Sequence, residues 1–137
     1  MGWHALAEVL GIDEPVDELA LVELTRHGLP GDSIKVLSKN LGITVTELSR
    51  FLRVSSHTLM RHRGKLINKH LSDQLLMIGI VVVRSIELFQ SNEKASRWLR
   101  SPVLALGNIR PLDLLDTTTG VTLVLNLLGK IEQGVYP

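Results

Sequence analysis

Apolar positions along this chain recur at three- and four-residue spacings, and strict alternation is almost absent, so the pattern predicts helices throughout. "VDELALVELTRHG" brings Val16, Ala20, Leu21 and Leu24 together, with acids at its start and Gly28 suited to a left-handed stop. "GDSIKVLSKNLG" follows, with Asp32 or Ser33 as cap and Gly42 as stop. "TVTELSRFL" opens with Thr44 and Glu47 at capping-box spacing, worth about 1 kcal/mol through its backbone hydrogen bonds. Val45, Leu48 and Leu52 line one face of it. After a short break at "RVS", "SHTLMRHRG" is expected to be helical from a cap at Ser55 or Ser56 to a stop at Gly64. "SDQLLMIGIVVVRSIELFQ" is apolar nearly all round, so both its sides must be covered. "NEKASRWLRS" ends before Pro102, and "TTTGVTLVLNLLGKIEQG" repeats the helical spacing through Val121, Val124, Leu125, Leu128 and Ile131, capped by Thr117 or Thr118. The β-branched run Val81 to Val83 lies inside a pattern too long for a strand. The fold class is all-α, with an N-terminal helical region over residues 1–70 and a C-terminal one over 71–137, divided near Asn68 to Ser72.

Composition narrows this picture. A chain of 137 residues, 45% of them hydrophobic, makes one compact domain or two small lobes on a shared core. Aromatics are only 4%, so leucine, isoleucine and valine must build that core. Without cysteine there is no disulfide frame and no thiolate zinc site, and a cytoplasmic location fits. The N-terminus shows no secretion-signal pattern, and Leu6 stands where a myristoylation signal requires Ser or Thr. The apolar stretch Leu75 to Val83 is followed by Arg84 and has about half of the ~20 residues a spanning helix needs, so it reads as a buried helix and no membrane contact is expected.

Net charge is only +1, but it is unevenly spread. Residues 1–32 carry seven acids (Glu8, Asp13, Glu14, Asp17, Glu18, Glu23, Asp32) against Arg26 alone. Residues 48–72 carry no acid and six bases: Arg50, Arg53, Arg61, Arg63, Lys65 and Lys69. Such a block inside a neutral chain suits a focused contact with an anion, although a solvated helix face has the same composition. "TELSRFLRVSSHTLMRHRGK", over about residues 44–63, has the layout of a helix-turn-helix. Leu48, Leu52, Val54 and Leu59 would lock two short helices together and leave the outer face of the second free for a major groove. Ser56, His57, Thr58, Arg61 and His62 are then placed at base edges, with Arg61 able to grip a guanine. Ser55 and the amides beside it suit a phosphate, and Arg63 and Lys65 the backbone beyond. The stretch resembles the helix-turn-helix of the Xre class at Glu47-Leu48, Val54-Ser55, Thr58-Leu59 and Arg61. It departs from that class at Arg53, which stands where such motifs carry a turn glycine, so a left-handed turn there would be strained. A plain helical hairpin with a basic outer face remains the alternative.

His57 and His62 are five residues apart, with no carboxylate nearby, and do not form a zinc pair; the acids and histidines occupy different segments, so no catalytic set assembles and no enzyme is expected.

The C-terminal stretch "ASRWLRSPVLALGNIRPLDLLDTTTGVTLVLNLLGKIEQGVYP" resembles the C-terminal domain of the MbcA/ParS/Xre antitoxins. The resemblance rests on Ala95, Trp98-Leu99, Pro102, Ala105-Leu106-Gly107, Arg110 to Leu115, the region of Gly120, and the closing "IEQGVYP". Residues before about Asp32 match no motif. Local physics accounts for part of it: Pro111 sits at a first helical turn, Asp113 lies where it can accept orphan amides, and Leu112, Leu114 and Leu115 bury one turn. For Trp98, Arg110 and Pro111 a structural role is at least as plausible as a partner contact. Val135 and Tyr136, after Gly134, either enter a partner's cleft or tuck against the core.

The resemblance implies an antitoxin of a type II toxin–antitoxin system whose partner is a RES-domain toxin that consumes NAD. It implies a toxin-binding surface including Trp98, Arg110, Pro111, Leu112, Asp113, Gly134, Val135, Tyr136 and Pro137, with the C-terminal end blocking the toxin's NAD pocket. It also implies a homodimer that binds an inverted repeat in its own promoter as a repressor. NAD belongs to the toxin; the chain has no glycine-rich nucleotide loop and needs no cofactor of its own. The Leu75–Val83 segment is expected to bury area between protomers or between halves. The alternative function is a free-standing helix-turn-helix transcriptional regulator whose C-terminal half only dimerises.

Overall fold

The computed structural model describes residues 2–62 and 64–135. Among these, eight α-helices follow one another: α1 Trp3–Leu10, α2 Glu18–His27, α3 Ser33–Leu41, α4 Val45–Leu52, α5 Ser56–Met60, α6 Lys69–Phe89, α7 Asn92–Leu99 and α8 Thr118–Glu132. Two one-turn 3-10 helices, Leu104–Leu106 and Pro111–Leu114, stand between α7 and α8. Extended pairing is confined to two isolated bridges, Pro30 with Leu66 and Val103 with Ile109. The all-α expectation holds.

Helix starts follow local chemistry. The side chains of Asp17, Thr44, Ser55, Asn68, Ser91 and Thr117 each accept a hydrogen bond from the backbone N–H three residues on. Each satisfies an amide that the helix itself leaves unpaired. The Asp17 cap starts α2 at Glu18, so Val16 falls before the helix and is 85% exposed, contrary to its expected place on the apolar face. Leu21 and Thr25 are the buried residues of that helix instead.

Helix α6 is the spine. It packs against α1, α2 and α3 and also against α7 and α8. Leu75, Ile78, Val81, Val82 and Val83 are all buried within the one chain. The Leu75–Val83 segment therefore buries most of its area between the halves of one chain, with Met77 and Ile80 left half-buried. A second tie crosses the halves where Ser96 of α7 donates through Oγ to the carbonyl of Leu41 at the end of α3 (2.8 Å). Among the described residues, no helix is long and apolar enough to cross a membrane.

Helix α1 is the main addition to the elements read from the pattern. Leu6, Val9 and Leu10 are buried and α1 lies across α6. The close crossing is made at Gly79, where a Cβ would stand 3.0 Å from Leu10, tighter than side chains normally tolerate. The signal was present in the i, i+3, i+4 spacing of Leu6, Val9 and Leu10, but eight residues are too few for periodicity alone to decide.

Candidate functional site

Helices α4 and α5 form the expected hairpin. Leu48, Leu52 and Leu59 are buried and Val54 is half-buried, so the inner lock is made by the residues the sequence singled out. The turn takes the left-handed path in spite of its sequence: Arg53 has φ 56° and ψ 36°. It closes α4 with hydrogen bonds from Arg53 N to the Arg50 carbonyl (3.4 Å) and from Val54 N to the Ser49 carbonyl (3.2 Å). An arginine thus occupies a conformation that glycine would adopt without penalty.

Helix α5 is shorter than expected and ends at Met60. The chain turns there because it must come back beside Leu29 to Gly31: Gly31 N donates to the Lys65 carbonyl (2.7 Å) and Ile67 N to the Leu29 carbonyl (2.8 Å). Gly31 is needed at this crossing, since a Cβ on it would collide with the carbonyl oxygen of His62. Ile67 is buried behind the bridge, and Ser72 Oγ bonds both the Leu29 amide and the Ile67 carbonyl. Arg61 consequently lies one residue beyond the helix, at its C-cap, and His62 in the following turn.

The cationic face places its groups unequally. His57, Arg61 and Lys65 are exposed; Ser56, Thr58 and His62 are half-buried. The Ser55 hydroxyl is already engaged, accepting from Thr58 N (3.0 Å) and sharing a hydrogen bond with Thr58 Oγ1 (2.8 Å). His62 Nδ1 bonds the Thr58 carbonyl (3.0 Å), which leaves one ring nitrogen for other contacts. Arg63 lies outside the described residues.

The second constellation is built around Arg110. Its Nε and one terminal nitrogen grip both carboxylate oxygens of Asp113, at 2.9 and 2.7 Å. Asp113 therefore satisfies a side chain rather than the helix amides it was expected to serve. That hydrogen bond raises the pKa of Arg110 above its ordinary value; nearby Glu47 adds to the effect and burial opposes it. Pro111 and Leu112 are buried beneath the segment, while Asp113 is exposed and Arg110 and Leu114 are half-buried. Trp98 is half-buried and stacks obliquely on Phe89, with ring centres 5.5 Å apart.

This segment does not stand apart from the hairpin. Glu47, Arg50, Phe51, Arg110, Asp113 and Asp116 surround a shallow cleft of about 270 Å³. Arg53 reaches across to Asp116 at 3.7 Å. The spacing of Glu47 after Thr44 gave the first half of a capping box, and Thr44 Oγ1 does accept from Glu47 N (3.1 Å). The Glu47 carboxylate, however, lines a cleft shared with Arg110, and no local sequence signal connects residues so far apart along the chain.

At the C-terminal end of α8, Gly134 adopts φ 70° and Val135 is 68% exposed. Val135 N returns to the Lys130 carbonyl (3.1 Å), which ends the helix and directs the chain away from it. Tyr136 and Pro137 lie outside the described residues.

A basic helix-turn-helix joined through one long helix to a second helical region defines the class: a DNA-binding-type module that shares one core with a second helical region. Comparison with known families makes this specific. Residues 20–78 match the Antitoxin Xre-like helix-turn-helix domain, and residues 84–134 match the Antitoxin Xre/MbcA/ParS C-terminal toxin-binding domain. The chain belongs to this antitoxin family and carries its helix-turn-helix and toxin-binding domains in succession. The first match begins at residue 20, ahead of the Asp32 limit drawn from motifs alone. An Antitoxin Xre of Yersinia enterocolitica is 29% identical over 120 residues, which is 85% of this chain and 80% of that protein. An Antitoxin Xre of Photorhabdus laumondii is 38% identical over 56 residues, 40% of this chain and 38% of that one. A Prs ADP-ribosylating antitoxin of a Sphingobium species is 44% identical over 48 residues, 35% of this chain and 30% of the other.

Proposed function

We propose that this antitoxin binds and inhibits a RES-domain toxin that consumes NAD, using its C-terminal end to block the NAD pocket, and that it represses its own operon. Residues 71–137 face the toxin and residues 1–70 the DNA, with α6 as the spine between them. The observation that carries the inhibitory reading is the end of α8: a left-handed Gly134 delivers an exposed Val135 beyond the helix. An apolar residue gains nothing from solvent there, and it is followed by Tyr136, whose ring fills a pocket at little entropic cost. Arg110 and Asp113, already paired, offer a preset polar edge for docking, and Trp98 a partly exposed ring.

The repressor reading rests on the exposed His57, Arg61 and Lys65 around α5, with Ser56, Thr58 and His62 beside them. A homodimer on an inverted repeat would set two such hairpins in successive major grooves. The chain works in the cytoplasm as a binder, without catalysis or a cofactor of its own.

Docking and blocking are separable. Deleting residues 134–137 removes the tail and leaves α8 intact. The truncated protein should fold and co-purify with the toxin encoded beside it, while co-expressing cells lose NAD and stop growing. Full neutralisation by the truncated protein would place inhibition on another surface.

A further inference from the structure

We propose that the Val103–Ile109 loop is a rigid docking knob whose Leu104 seats in an apolar recess of the toxin. The proposal rests on the reading of this chain as an antitoxin and adds to it a contact that neither the RPLDLL segment nor the tail contains.

Leu104 is 83% exposed, and Ile109, also exposed, is paired with Val103 across the loop's neck. Ala105 beside Leu104 is exposed as well. The loop is nonetheless well fixed. Val103 N donates to the Ile109 carbonyl (3.1 Å), and Leu106 N and Asn108 N both donate to the Val103 carbonyl (3.0 Å each). Gly107 and Asn108 take two consecutive left-handed conformations, the second without the freedom of glycine. Leu106 is buried and anchors the loop from beneath. A loop so constrained loses little entropy on binding, and a large aliphatic group held out on it is suited to be the centre of an interface.

Three occupants compete for it. The loop lies inside residues 84–134, the stretch that matches a toxin-binding domain, and leads directly into Arg110 and Asp113. That continuity favours the toxin. A symmetric pair with the knob on its two-fold axis would bring two projecting leucines together, and they do not fill one another's space. A copy could instead insert Leu104 into the apolar groove of about 530 Å³ that includes Leu21, Val22, Leu76 and Ile80. Such a contact closes into a dimer only where both grooves are filled at once, and otherwise strings copies into chains.

The test uses the full chain and the toxin encoded beside it, with affinity from surface resonance and self-association from light scattering. Leu104→Asp should weaken toxin binding at least about tenfold, mainly through faster dissociation, and leave the melting temperature and promoter binding unchanged. Leu104→Met should stay within about threefold of wild type, because the recess accepts another flexible apolar group. Unchanged affinity of Leu104→Asp overturns the proposal while leaving the antitoxin reading intact. Loss of self-association with undiminished toxin affinity also overturns it and makes a second copy the occupant. Failure of the wild-type chain to bind that toxin would appear before any variant is tested and removes the antitoxin reading together with the knob.

Discussion

Arg53 holds φ 56° and ψ 36° in the turn between α4 and α5, where a side chain costs about 1–2 kcal/mol relative to glycine's free choice. Its 3.7 Å contact with Asp116 offsets little, because the arginine side chain is 78% exposed and such pairs are worth about 0–1 kcal/mol. Glycine also loses more freedom on folding, which takes back part of the gain. Arg53→Gly should therefore raise unfolding stability by about 0.5–1 kcal/mol, read as a higher urea midpoint at unchanged slope. A lower midpoint would mean that the bridge to Asp116 outweighs the backbone strain. At this scale the sequence was informative wherever chemistry is local. Thr44, Ser55 and Thr117 cap as their positions suggest, and Arg53 was recognised as the strained residue of the turn. It failed where a side chain chooses among partners: Asp113 faces amides and Arg110 alike, and the bidentate guanidinium geometry wins.

The second helix of the helix-turn-helix is shorter than its sequence promised and is followed by a tied turn. Arg61, one residue beyond α5, still donates its amide to the His57 carbonyl and keeps helical angles (φ −68°, ψ −16°), so its long side chain remains on the exposed face. Arg61→Ala should lose about 1–3 kcal/mol at one base pair of the operator and relax preference there, measured by competition between operator variants. Lys65 differs: its backbone is held by His62 and Gly31, while its exposed side chain is free to meet phosphate. Lys65→Ala should weaken all duplexes alike and reduce the logarithmic salt slope by about 0.9. Equal losses on operator and random DNA for both variants would remove Arg61 from base reading. The early end of α5 was not legible, because the residues that stop it, Leu29 to Gly31, lie in another segment. Periodicity sees a helix's own face, not the segment against which the chain must return.

At the scale of the molecule, α6 removes the independence that two successive domains suggest. The helix-turn-helix match ends at residue 78 and the toxin-binding match begins at residue 84, both inside α6 (Lys69–Phe89). Its early residues Leu71 and Leu75 and its later residues Val81 to Val83 are buried alike, in one hydrophobic cluster that runs from Leu6 to Leu128. The apolar run thus showed that α6 needed cover on every side, but not that one chain supplied most of it. Two half-buried tryptophans make the consequence measurable, since Trp3 lies in α1 and Trp98 in α7. With Trp3→Phe leaving one reporter and Trp98→Phe the other, both should show a single denaturation transition, each matching the loss of helical circular dichroism of the same variant. Leu75→Ala, a cavity in the spine at a fully buried site, should lower stability by about 2–5 kcal/mol. It should do so equally through either tryptophan, because α1 and α7 rest on the same helix. A midpoint that moves for Trp3 alone would show that the N-terminal half unfolds by itself, leaving the C-terminal half folded.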